Sequence, residues 1–209
     1  MFSIGVLISG GGTNLQSIID SIENGYLNCS IKTVISDREG AFGLERAKAH
    51  GIETHVVDRK LYKEGISREI ERTLGDIDLV VLAGFLSILD EDFVKNYENK
   101  IINIHPSLIP SFCGKGMYGL KVHREVIDYG VKFSGCTVHY VDKNPDAGPI
   151  ILQKVVPVYE DDTAETLQKR VLIEEHKALP EAIKLISEGK VKIHGRKILI
   201  LRDSLQTGK

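Results

Sequence analysis

The first hundred residues alternate short apolar runs with segments whose apolar positions recur at helical spacing. Residues 4–8 form an apolar run that stops at Ser9-Gly10-Gly11-Gly12-Thr13. Leu15, Ile18, Ile19 and Ile22 follow at i, i+3, i+4 and i+7, one face of a helix. Thr13 with Gln16 has the form of a capping box, which predicts a helix starting at Thr13. The pattern then repeats, with strands over 31–35, 54–57, 79–83 and 101–104. Helices are predicted over 42–50 (stopped by Gly51), over 91–97 and, more weakly, over 64–74. Alternating strands and helices imply a parallel sheet covered on both faces.

The second half changes character. Residues 120–129 read as a helix ending at Gly130. Strands over 134–141 and 150–158 are rich in β-branched residues and separated only by 142–149, so they are expected to pair antiparallel. Asp162 with Glu165 is the expected cap of a long helix through Leu167, Val171 and Ala178, with Pro180 a kink or break. Residues 190–201 read as two short strands turning at Gly195. The expected fold class is α/β: a Rossmann-like, mostly parallel twisted sheet with helices on both faces and antiparallel strands added in the C-terminal half. No Ser/Gly/Pro-rich linker interrupts the chain, so residues 1–209 are read as one unit.

Composition narrows the function classes. The chain has 27 Lys plus Arg against 29 Asp plus Glu, a formal charge of −2, so nothing biases it toward nucleic acid or an anionic membrane. Cys29, Cys113 and Cys136 share no close spacing, which argues against a disulfide framework and a thiolate metal site. No histidine pair has metalloprotease spacing, and no metal is expected. Apolar runs fall well short of the ~20 residues that span a bilayer, and the N-terminus lacks signal-peptide features. A cytoplasmic, reduced setting is expected.

Three places carry candidate chemistry. At the glycine-rich turn, the amides of Gly11, Gly12, Thr13 and Asn14 would be free at a helix N-terminus, a seat for an anion; the bland alternative is a tight turn that needs glycine. The third glycine of a dinucleotide fingerprint is replaced by Leu15, so a single phosphate fits better than a pyrophosphate. Asn103 and His105 fall on one face of the 101–104 strand at its C-terminal end, where ligands of open α/β sheets bind. Pro106 stops the ladder there. Asp146 lies in a stretch dense in turn formers; it is a turn residue or a carboxylate held against His105, whose pKa it would raise.

The chain resembles the phosphoribosylglycinamide formyltransferases, within the folate-dependent formyltransferases. The resemblance rests on residues 4–10, on Val80-Val81-Leu82-Ala83-Gly84-Phe85 and on Asn103-Ile104-His105-Pro106-Ser107-Leu108. It continues through His139-Tyr140-Val141, residues 146–153 and Glu175-His176. It implies formyl transfer from 10-formyltetrahydrofolate to the amine of phosphoribosylglycinamide in purine synthesis, by a monomer or homodimer without a metal. Residues 1–100 would form the phosphate-binding half, and 101–209 the catalytic and folate-contacting half. By position, Gly12, Thr13 and Asn14 would hold the phosphate. Asn103, His105 and Asp146 would be the catalytic set. Leu86, Ser87, Ile88, Leu89, Asn103 and Lys63 would meet the folate, and Glu175 the glycinamide side. Many relatives have Met-Arg where this chain has Leu86-Ser87, and the resemblance implies that the glycine-rich loop 113–119 is longer than in many of them. Formyltetrahydrofolate hydrolases and methionyl-tRNA formyltransferases are the nearest rivals; each is expected to carry an additional domain. A dinucleotide-binding module without chemistry at His105 is the rival from another class.

Overall fold

The computed structural model describes residues 1–201, so 202–209 of the expected C-terminal half lie outside the described residues. In chain order the elements are β1 (Phe2–Ile8), α1 (Thr13–Glu23), β2 (Cys29–Ser36), α2 (Phe42–Ala49), β3 (Thr54–Val56), α3 (Arg59–Tyr62), a 3-10 turn (Lys63–Gly65) and α4 (Ile66–Leu74). There follow β4 (Leu79–Leu82), α5 (Glu91–Asn96), β5 (Ile101–His105), α6 (Leu120–Tyr129), β6 (Phe133–Tyr140), β7 (Ile150–Pro157), α7 (Ala164–Ser187), β8 (Val191–His194) and β9 (Lys197–Ile200). A seven-stranded sheet has the order β3-β2-β1-β4-β5-β6-β7, parallel from β3 to β5 and antiparallel at β6 and β7. β8 and β9 form a separate antiparallel pair.

The sheet starts in its middle. The chain lays down β1, moves outward to β3, then returns to place β4 on the other side of β1. The crevice beyond the C-terminal ends of β1 and β4 is therefore the switch point at which open α/β sheets bind ligands. Strand alternation divides the core by face. Ile4, Val6, Ile8, Val81, Ile102 and Val138 pack with α1, α2 and α7, while Leu7, Ile35, Val80 and Ile101 pack with α4 and Phe93 of α5. Each fully buried Ile or Leu contributes about 1.5–3 kcal/mol, so this two-faced burial fixes strand register.

Four local expectations change. Thr13 is the first residue inside α1 rather than its cap, because Gly12 turns the chain at φ 70°. Gln16 instead donates to Asp20 and accepts from Arg46. The cap of α7 is Thr163, in a reciprocal box with Thr166, because Asp162 is engaged by both terminal nitrogens of Arg170 at 2.6 and 2.8 Å. Pro180 does not break α7; the surrounding Ala178, Leu179, Ala182 and Ile183 are buried, and that packing offsets the roughly 3 kcal/mol of an interior proline. The weak helix expected over 64–74 is a 3-10 turn followed by α4, and α3 has no counterpart in the periodicity.

Candidate active site

The turn between β1 and α1 is shaped by its neighbour α2. A Cβ on Gly12 would stand 2.5 Å from Gly43 Cα, so backbone meets backbone there. Gly43 N–H donates to the Gly10 carbonyl at 3.0 Å, and Arg46 Nε donates to the Gly11 carbonyl at 2.9 Å. With those carbonyls tied back, Gly11, Thr13 and Asn14 line a cleft of about 640 Å³ at the α1 N-terminus. Unsatisfied N–H groups and the helix dipole favour an anion there. Gly12 does not line the cleft; it holds the turn. Glu175 of α7 closes this end, accepting from Asn14 Nδ2 at 2.7 Å. Burial pushes the Glu175 pKa up, against the Asn14 hydrogen bond.

The other end of the same cleft holds Asn103, His105 and Asp146. Asn103 and His105 leave β5 on one face, as their spacing predicts, opposite His139 and Thr137 of β6. Asp146 comes from the loop between β6 and β7. Gly148 lets that loop fold back, since a Cβ there would run into the Tyr140 carbonyl. Asp146 adopts φ 55° and places Oδ2 3.5 Å from His105 Nδ1 and Oδ1 3.6 Å from His139 Nε2. Oδ2 also accepts from Gly114 N–H at 2.8 Å.

Burial opposes ionisation of Asp146, but His139, His105 and the Gly114 N–H outweigh it and hold the carboxyl below its usual range. His105 departs from expectation. It is 4% exposed, and desolvation outweighs both Asp146 and the Phe112 carbonyl, so its pKa lies below the ordinary value rather than above it. Its Nε2–H is donated to the Phe112 carbonyl at 3.0 Å.

A second cavity, of about 440 Å³, adjoins the first. Leu86, Ser87, Ile88 and Leu89 line it with Val94 and Val141. The two cavities share Phe85, Leu86, Asn103, Tyr118 and Asp146. The 86–89 segment is bolted down twice: Leu86 N–H donates to Ser9 Oγ at 2.8 Å, and Ser87 Oγ donates to the fully buried Asp37 at 2.6 Å. Lys63 lies in the 3-10 turn before α4 and lines neither cavity. Among the described residues no group of His, Cys, Asp and Glu is arranged to hold a metal ion, and no helix is long and apolar enough to cross a membrane.

Two histidines join the site that no short-range pattern marks. His139 donates Nδ1–H to the Tyr140 carbonyl at 2.8 Å, and its Nε2 lies 3.2 Å from the Asn103 amide nitrogen and 3.6 Å from Asp146 Oδ1. His123, in the first turns of α6, lines the larger cleft. Only the register of β6 against β5 brings 139 to 103, and that follows from the antiparallel pairing rather than from the local sequence.

Residues 3–183 match the family described as formyl transferase. The chain is 39% identical over 198 residues to the phosphoribosylglycinamide formyltransferase of Escherichia coli, covering 92% of this chain and 90% of that one. It is 44% identical over 194 residues to a trifunctional purine biosynthetic protein of Bos taurus, covering 91% of this chain but only 19% of that relative's length. The solved glycinamide ribonucleotide transformylase 1 of Symbiobacterium toebii superposes with a TM-score of 0.89 at 44% identity, covering 97% of this chain and 95% of that one.

Proposed function

The chain belongs to the formyl transferase family, in its phosphoribosylglycinamide formyltransferase branch, and from that premise we propose that it moves a formyl group from 10-formyltetrahydrofolate to the glycinamide amine of phosphoribosylglycinamide. The observation that carries this reading is the pair of cavities meeting at Asn103 and Asp146. One ends in an anion seat, as a phosphorylated acceptor requires. The other is walled by Leu86, Ile88, Leu89 and Val141, which suits a flat ring system. Exposed Lys115 and Lys143 on the wall of that second cavity are cations within reach of a folate's carboxylates.

The bound donor supplies an activated formyl group. The acceptor's uncharged amine adds to the formyl carbon, forming a C–N bond and placing negative charge on the formyl oxygen. The Asn103 amide and the His105 N–H donate to that oxygen; removing one such preorganised donor costs about 3–4 kcal/mol of transition-state stabilisation. For His105 to do so, its N–H must leave the Phe112 carbonyl. The bond from the formyl carbon to the folate nitrogen then breaks. The proton lost by the amine passes to that nitrogen, with ionised Asp146 ordering the transfer.

Thr13 and Asn14 hold the acceptor's phosphate on the turn that Gly12 maintains, and Glu175 faces the acceptor from α7. Small-molecule substrates and a cytoplasmic location accompany this reading. The test is consumption of 10-formyltetrahydrofolate with and without phosphoribosylglycinamide. Amine-dependent consumption with formylated product is expected; amine-independent loss would make the protein a hydrolase.

A further inference from the structure

We propose that His123 is a substrate-contacting residue whose ring nitrogen is reserved for the glycinamide portion of the acceptor; the inference rests on the transfer reading above. His123 is 1% exposed and lines the cleft; neither ring nitrogen bonds to any described residue, and of the two only Nδ1 is fully enclosed, which leaves Nε2 as the nitrogen a ligand can meet. Buried polar atoms are nearly always satisfied, and an unsatisfied one costs about 1–3 kcal/mol. The fold offers no compensation: His123 lies beside the apolar Val122 and Val126 on the buried face of α6.

The position of the ring says what completes it. His123 lines the cleft that runs from the anion seat to the reacting groups, and it stands close enough to His105 for their charges to interact. It therefore belongs to the reactive end, whereas Asn14 stands at the α1 end with Glu175 bonded to it. The part of the acceptor lying between its sugar and its attacking amine is an amide, with one N–H and one carbonyl. A neutral imidazole offers one donor and one acceptor and matches either half. Burial and the neighbouring His105 push its pKa down to about 4, so the ring is neutral at working pH and does not repel the amine by charge.

A purely structural histidine and one dedicated to ligand make opposite predictions. His123→Phe keeps the ring's bulk and removes both nitrogens. The unliganded variant is expected to melt at or above the parent temperature. Its Kd for phosphoribosylglycinamide, measured by calorimetry without folate, should rise about tenfold, the size of one lost hydrogen bond to ligand. KM for 10-formyltetrahydrofolate should stay within about twofold, and His123→Gln, which restores a polar group near Nε2, should recover part of the affinity. A parent-like Kd in His123→Phe overturns the inference, as does a lower melting temperature with unchanged affinity. Should His123→Phe not fold, the parent labelled with 15N-histidine decides: adding acceptor alone must move the His123 ring signals, and unmoved signals overturn the inference. If the parent itself shows no acceptor-dependent formyl transfer, the transfer reading fails first and separately.

Discussion

The Asn103 amide nitrogen stands 3.2 Å from Nε2 of His139, directly across the antiparallel pairing of β5 and β6. His139 gives its Nδ1–H to the Tyr140 carbonyl, which fixes the ring, and both the Asn103 amide nitrogen and Asp146 Oδ1 face its Nε2. Asn103→Ala is expected to lower kcat by about 10²–10³, as loss of one oxyanion donor does. His139→Leu leaves the amide in place but free to rotate, and should lower kcat by about tenfold with both KM values unchanged, since misplacement alone is costly. Steady-state kinetics with a melting curve for each variant checks both. A rate for Asn103→Ala within twofold of the parent would contradict the role.

Asp146→Asn retains an oxygen for the Gly114 N–H and removes the charge beside His105 and His139. Turnover should fall by about two orders of magnitude or more, the lower end of the range for a general acid–base group being about 10², while affinity for the phosphorylated acceptor stays near the parent value. Measuring kcat and the acceptor Kd separately distinguishes this from a collapsed loop. Unchanged turnover would remove Asp146 from the mechanism.

Gly12 and Gly10 form a matched pair for the anion seat. Gly12→Ala places a Cβ against Gly43 at φ 70°, a backbone region that costs an L-residue about 1–2 kcal/mol before any clash. Gly10→Ala meets nothing within 4 Å. The first is expected to lower the melting temperature and weaken acceptor binding at least tenfold, and the second to do neither. Equal behaviour of the two variants would show that the contact with α2 does not shape the turn.

Stability should decline as pH falls from about 6.5 toward about 4. His123 has its ordinary pKa of 6.5 in the unfolded chain and about 4 in the fold, so in that window the unfolded state binds the extra proton. His105 and His176, lowered chiefly by burial, act in the same direction. Glu175, raised by burial, acts oppositely, its contribution being lost as pH rises through its folded value. Asp146, held low, adds a loss at more acidic pH. Urea unfolding at several pH values should give a shallower slope for His123→Phe than for the parent, and identical slopes would refute the assignment.

Ser87→Ala cuts the bolt between the 86–89 segment and buried Asp37 while leaving Asp37 its contacts with Arg38 and Arg59. KM for the formyl donor is expected to rise by several-fold, roughly one hydrogen bond's worth, with the acceptor KM unmoved. A rise in acceptor KM alone would place the segment against the wrong substrate.

The alternation of strands and helices was legible because both periods are local. Asn103 and His105 could be paired on one face from their spacing alone, and the crevice end of β5 followed from the architecture. His139 and His123 were hidden because what makes them part of the site lies elsewhere in the chain: a strand register in one case, an enclosed and unpartnered nitrogen in the other. The direction of the His105 shift was misread for the same reason. A carboxylate nearby can be guessed from sequence, but the depth of burial that outweighs it depends on the 111–119 loop folding over the ring. At Thr13 the capping pattern was present, and the left-handed turn at Gly12 took precedence.

The antiparallel seam between β5 and β6 carries a further implication for how this centre tolerates change. Val138 and Tyr140 face Ile104 and Ile102 and are buried in the core, while His139 between them faces Asn103. Sliding β6 by one position would turn those two side chains out of the oil and the imidazole into it. The hydrophobic interior thus proofreads the alignment of the catalytic groups, and a drift in oily residues at 138 or 140 would be felt as a change in reaction rate before it was felt as a loss of shape.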